Sequence, residues 1–204
     1  NNLKSHKRKF IQSSGNFISD HNILHKDKKL TFWGEWEAES NFKMINDTDT
    51  PRFVHYPLLD KTYNGPTKHN TDPFVFGDNF WYTNCKQNSR PFLQRMSNNS
   101  IILFGTEGKK NFKLDTVFVT KKKFNYLEIQ SRIRSFSEQL IKTNFILNNM
   151  LFDKNKTHYS YYVGNNFNDD KNLFSFSPSK VLNKNTSEGH ERVLLNVNDF
   201  GLQK

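Results

Sequence analysis

Twenty phenylalanines stand against a single alanine, Ala38, in this chain. With three Trp and seven Tyr, 15% of its 204 residues are aromatic, although only 34% are hydrophobic. An interior must therefore be assembled from rings, with Ile, Leu and Val between them and almost no small filler. So many rings exclude disorder for most of the length, because chains that cannot collapse lack them. The 27 Asn, with abundant Lys, Phe and Ile, resemble the product of AT-rich coding. Part of the polarity is then compositional drift.

The length suits one domain, or one domain with extensions. Thirty Lys and Arg against twenty Asp and Glu leave a formal charge of +10. Drift weakens that charge as a pointer to a polyanionic partner without removing it. Cys85 is the one cysteine, which excludes an internal disulfide and a cysteine-based zinc site and suits a reducing, cytoplasmic setting. No run approaches the roughly 18 apolar residues of a membrane span. No secretory signal is visible.

Residues 1–29 read as a basic arm or short helix, with Lys7, Arg8 and Lys9 near one end and Lys26, Lys28 and Lys29 near the other. From Leu30 the alternation Phe32/Gly34/Trp36 against Trp33/Glu35/Glu37 predicts a strand. Residues 40–52 read as a loop, 53–56 as a short strand, and 60–73 as a long connection rich in turn signals. A dense aromatic segment (74–82) leads into a polar stretch (83–90) and a short helix opened by Pro91. Strands are expected at 100–104 and 112–120, joined by a hairpin loop. Ile129, Ile133, Phe136, Leu140, Leu147 and Leu151 recur at helical spacing, which predicts one helix over 126–151. Strands at 158–163, 174–176 and 192–197 complete an α+β domain over 30–204, with a core at 30–151 and a strand extension at 152–204.

Several chemistries find no support. There is no Gly-x-Ser-x-Gly elbow, no clustered-glycine phosphate loop and no helical His pair at ligand spacing. A metal-dependent nuclease needs two or three acids around a cation. Glu35, Asp72, Asp78 and Asp115 are the candidates, but none of them has a Lys two residues on, and Asp27–Lys28–Lys29, which has that acid-x-Lys spacing, lies inside the arm. No cofactor and no metal site is expected. The aromatic group is the stronger signal. Trp33, Trp36, Trp81 and Tyr82 adjoin Glu35, Asn84, Gln87 and Arg90. Flat walls beside carboxamides suit an unstacked base, whose edge needs donors and acceptors together. The same indoles could equally fill a core with almost no alanine.

Residues 30–125 resemble EVE domains of the PUA-like superfamily, relatives of YTH and ASCH domains. Leu30 to Ser40 is similar to their opening strand, Trp81 to Arg90 to their polar stretch, Leu93 to Thr106 to their helix and next strand, and Leu114 to Val119 to their valine strand. Asn99–Ser100 stands where the family has Gly-Asp, and the opening proline is missing. The resemblance implies a small, curved PUA-like β-barrel flanked by helices. It implies a non-catalytic nucleic-acid-binding module, for DNA or RNA, that recognises a modified or flipped base, a role found in restriction and anti-phage defence. By position Trp33 and Trp81 would be walls, Asn84 and Gln87 edge readers and Phe104 the floor, with Glu35, Trp36 and Tyr82 beside them. Lys7, Arg8, Lys9, Arg90, Lys121, Lys122 and Lys123 would meet phosphates. The competing readings are a nuclease or base-modifying enzyme, and an interaction subunit with a protein partner or as a homodimer. No membrane partner is expected.

Overall fold

The computed structural model describes residues 8–19, 22–44, 53–59, 70–77, 79–107, 111–144, 147, 158–181 and 193–196. Ten strands appear in them: β1 Arg8–Ile18, β2 Leu24–Glu35, β3 Ser40–Met44, β4 Phe53–Pro57, β5 Trp81–Tyr82, β6 Ile101–Glu107, β7 Asn111–Phe124, β8 Tyr161–Gly164, β9 Ser179–Val181 and β10 Leu194–Asn196. Two short α-helices, α1 Tyr126–Arg132 and α2 Glu138–Thr143, and 3-10 turns at Pro91–Gln94 and Ile133–Ser135 accompany them. The class is α+β and rich in strands. One sheet runs β3-β4-β1-β2-β9, the other β10-β7-β8-β5 with β6 also on β7. Neither ladder closes on itself among the described residues, so the expected barrel is not formed by them.

The basic arm is corrected. Residues 8–18 are a strand, paired antiparallel with β2 from Arg8↔Glu35 to Ile18↔Leu24. Phe10, Ile11 and Gln12 are all buried, so consecutive residues are covered on both faces. A strand covered on both sides shows no polar–apolar alternation, and the flanking lysines then dominate its appearance. Where Asn16 of β1 opposes both Lys26 and Asp27 of β2, the ladder bulges, and Asp27 takes φ +53°. Residues 40–44, expected as loop, pair with β4 along its whole length.

The expected single helix is also corrected. Asn125 and Glu128 form a reciprocal capping box at the start of α1, with bonds of 3.0 and 2.7 Å. The chain then tightens into a 3-10 turn, Phe136 turns extended, and Ser137 caps α2 through Leu140 N–H at 3.2 Å. Ile129, Ile133, Leu140 and Leu147 are nonetheless all interior. Leu151 lies outside the described residues.

Two ring-rich clusters make the interior. The larger joins Ile11 and Phe32 of the first sheet to Trp36, Phe74, Phe76, Phe124, Tyr161 and the helices. The smaller holds Tyr82, Phe118 and Tyr162, with Phe80, Ile102 and Phe104 packed on it. β8 feeds both: alternation sends Tyr161 one way and Tyr162 the other. Gly164 then lets two segments cross its end, since a Cβ there would lie 2.6 Å from Ser175 Oγ and 2.8 Å from Phe80 Cβ.

Candidate functional site

The three indoles occupy three neighbourhoods. Trp33 faces away from its neighbour Phe32 and meets Phe10 edge-on at 4.5 Å. Trp36 is interior, edge-on to Phe76 at 5.0 Å, and its Nε1 donates to the Glu39 carbonyl at 3.0 Å. Trp81 is half-buried, stacked on Phe124 at 6.4 Å and edge-on to Phe136 at 4.5 Å. No described ring contact joins two indoles. Tyr82 is enclosed, donates to the Cys85 carbonyl at 2.7 Å, and burial pushes its phenol far above the ordinary range. Phe104 packs edge-on to Tyr82 at 5.2 Å.

Gln87 is wholly buried. Its Nε2 donates to the Ser160 carbonyl at 2.7 Å, and its Oε1 accepts the Ser160 N–H at 2.9 Å. Both ends of the carboxamide are thus used inside the fold. The expected pocket is corrected accordingly: Trp36, Tyr82 and Gln87 are interior residues rather than walls or readers. Asn84 is half-buried at φ +64°, where its role is to turn the chain. Lys7 and the side chains of Arg8 and Glu35 lie outside the described residues.

What Gln87 does is anchor a cationic segment. The chain turns at Asn84 and Lys86, both at positive φ, and Gln87 N–H closes on the Asn84 carbonyl at 2.9 Å. Pro91 opens the 3-10 turn, Leu93 plugs into the interior, and Gln94 Nε2 donates back to the Gln87 carbonyl at 3.0 Å. The Gln94 carbonyl accepts both Ser160 Oγ–H at 2.8 Å and Lys123 Nζ at 2.6 Å. Met96 N–H reaches the Tyr162 hydroxyl at 3.2 Å. On this fixed base Lys86, Arg90, Arg95 and Lys123 are exposed, and Phe92, between Arg90 and Arg95 in the chain, is 60% exposed. No Asp or Glu occurs from residue 79 to 106. Arg90, Arg95 and Lys86 form no ion pair among the described residues.

The expected phosphate contacts therefore separate. Arg90 precedes the 3-10 turn and Lys123 bonds its last carbonyl, that of Gln94, while Lys122 lies next along β7. Lys122 Nζ and the Arg132 guanidinium lie 4.9 and 5.6 Å from the Phe124 ring centre. Lys121 is held by Asp169 at 2.6 Å. Lys9 belongs to the first sheet, where its charge bears on His55. Lys86, Phe92 and Arg95 were not singled out from the sequence, where their one signal is that residues 79–106 hold no acid. Among the described residues no group of three or more His, Cys, Asp or Glu is placed to hold a metal, and no helix is long and apolar enough to cross a membrane. Comparison with protein-family models, curated proteins and solved structures found no match to this chain.

Proposed function

We propose that this chain is a non-catalytic nucleic-acid-binding module whose contact surface is the cationic face around the Pro91–Gln94 turn. The supporting observation is the fixed, acid-free group of Lys86, Arg90, Arg95 and Lys123 around exposed Phe92. Guanidinium and ammonium groups meet phosphates, and a bare phenyl ring between them offers a platform for an unpaired base. Phe92 at 60% exposure makes no ring contact among the described residues, so its face is open to stacking. The net charge of +10 favours the same class of partner at long range. The resemblance of residues 30–125 to EVE domains points the same way. A flipped or modified base read beside this face, in a restriction or defence setting, is the finer form of the proposal.

Titrating single-stranded and duplex oligonucleotides over a range of salt tests this. Affinity is expected to fall steeply with salt, and Arg90→Gln with Arg95→Gln to lower the slope of log K against log salt by roughly 0.7 to 0.9 per residue. Phe92→Ala is expected to cost about 1–3 kcal/mol on a single strand and little on a duplex. No binding at low salt, or binding untouched by all three changes, overturns the reading.

A further inference from the structure

A cavity of about 500 Å³ lies between the closed end of the β1–β2 hairpin and the segment 166–179. That volume falls within the roughly 300–1,000 Å³ of small-molecule sites. None of Lys86, Arg90, Phe92, Arg95 and Lys123 lines it, so it is separate from the cationic face.

Its two sides are fixed independently. On the hairpin side the bulge at Asp27 re-aims the strands. Ser19 N–H then closes the turn on the Ile23 carbonyl at 3.1 Å, with Asn22 at φ +56°. On the other side the Asn166 Oδ1 accepts the N–H groups of Asn168 at 2.9 Å and Asp169 at 3.1 Å, and Asp169 is tied to Lys121. The Phe176 backbone pairs with Val117 through two bonds of 2.9 Å. Between these supports stand Phe17, Phe80 and Phe174, the last edge-on to Phe167 at 5.2 Å.

Among the described residues that line the cavity, none carries a charge. The side chains of Asn22 and Asn168 and the Nδ2 of Asn166 make no hydrogen bond among the described residues, and the three residues line the cavity from both sides. An ionic ligand would lose hydration here without a countercharge. A carboxamide presents donor and acceptor side by side, which matches the edge of a neutral heterocycle, while phenyl rings match its faces. We propose that this cavity binds an uncharged, flat heterocycle of nucleoside size as a small-molecule ligand, held between Phe17, Phe80 and Phe174 and read by Asn22, Asn166 and Asn168.

Calorimetric titration of the full chain with adenosine, guanosine, cytidine and uridine tests it. At least one is expected to bind with an affinity that does not change from low to high salt. Asn168→Ala and Asn22→Gly are each expected to weaken it by about threefold to tenfold. Glycine at 22 keeps the positive φ, and both asparagines are exposed, so neither change threatens folding. The Arg90→Gln/Arg95→Gln variant is expected to bind the nucleoside unchanged, which separates this site from the nucleic-acid surface. The inference is overturned if none of the four binds at millimolar concentration. It is equally overturned if binding survives both asparagine changes together, or if binding weakens with salt and is lost in the arginine variant.

Discussion

Gln87 and Phe92, five apart in one segment, separate a buried anchor from an exposed ring of the proposed contact surface. The carboxamide of Gln87 satisfies both backbone groups of Ser160 in the interior. Gln87→Leu fills similar space but leaves a buried N–H and a buried carbonyl without partners, at roughly 1–3 kcal/mol each. Its urea midpoint is therefore expected to drop clearly below that of the unaltered chain, with the slope unchanged. Phe92→Ala, on an exposed ring, is expected to stay within about 0.5 kcal/mol in the same experiment. A Gln87→Leu protein as stable as the parent would mean that the clamp does not hold the cationic segment. In the sequence neither residue announces its role: Gln87 sits in the polar stretch 83–90 and Phe92 in the short segment opened by Pro91. Only burial tells an anchor from a contact residue.

At the scale of elements, Gly164 sets where β8, Phe80 and Ser175 can meet. Gly164→Ala places a methyl group 2.6 Å from Ser175 Oγ and 2.8 Å from Phe80 Cβ. Backbone or side chains must shift, and the overpacking is expected to cost about 1–3 kcal/mol, read as a lower thermal midpoint. Ser175→Gly in the same chain should recover only part of it, because Phe80 still crowds the methyl. The buried set Ile129, Ile133, Leu140 and Leu147 was visible because one face of its segment differs from the other. The strand over 112–120 was visible without that contrast, from its aromatic and β-branched run, since residues 114–116 and 118–120 are buried on both faces. β1 was hidden because its buried Phe10 and Ile11 stand between Arg8–Lys9 and the polar Gln12–Ser14, and β3 because four of its five residues are exposed. The break at Phe136 was hidden for another reason. Its ring leaves helical order to pack on Trp81 and Phe124, at 4.5 and 6.5 Å, a tertiary contact that no periodicity encodes. Of the proposed face, Arg90 and Lys123 were already named from the sequence, whereas Trp36, Tyr82 and Gln87 were misread, because an indole in a core and an indole in a pocket have the same sequence neighbours.

At the scale of the whole molecule, an interior made of rings carries its own pH limits. Burial raises the phenols of Tyr82, Tyr161 and Tyr162 above the ordinary 10.0. A group whose folded pKa is raised contributes stability that is complete below the unfolded value and lost as pH rises toward the folded one. Stability is therefore expected to hold up to about pH 10 and then fall, because ionising these hydroxyls requires opening both clusters. Ultraviolet titration should show part of the tyrosine absorbance change arriving only together with unfolding. On the acid side His55 is lowered from 6.5, first by burial and then by the Lys9 charge, beside the Ser40 hydroxyl at 3.1 Å. Here the folded chain binds protons less readily than the unfolded one, so stability is complete above 6.5 and declines as pH falls below it. Asp169, lowered from 3.8 by Lys121, adds a loss only at still lower pH. As an exposed pair it contributes less than about 1 kcal/mol. Urea midpoints across pH should thus trace a plateau from about 6.5 to about 10, and His55→Gln should flatten the first part of the acid limb while leaving the alkaline limb in place. A midpoint that climbs as pH falls from 7 to 5, or an alkaline limb that begins well below 10, would contradict the placement of these groups.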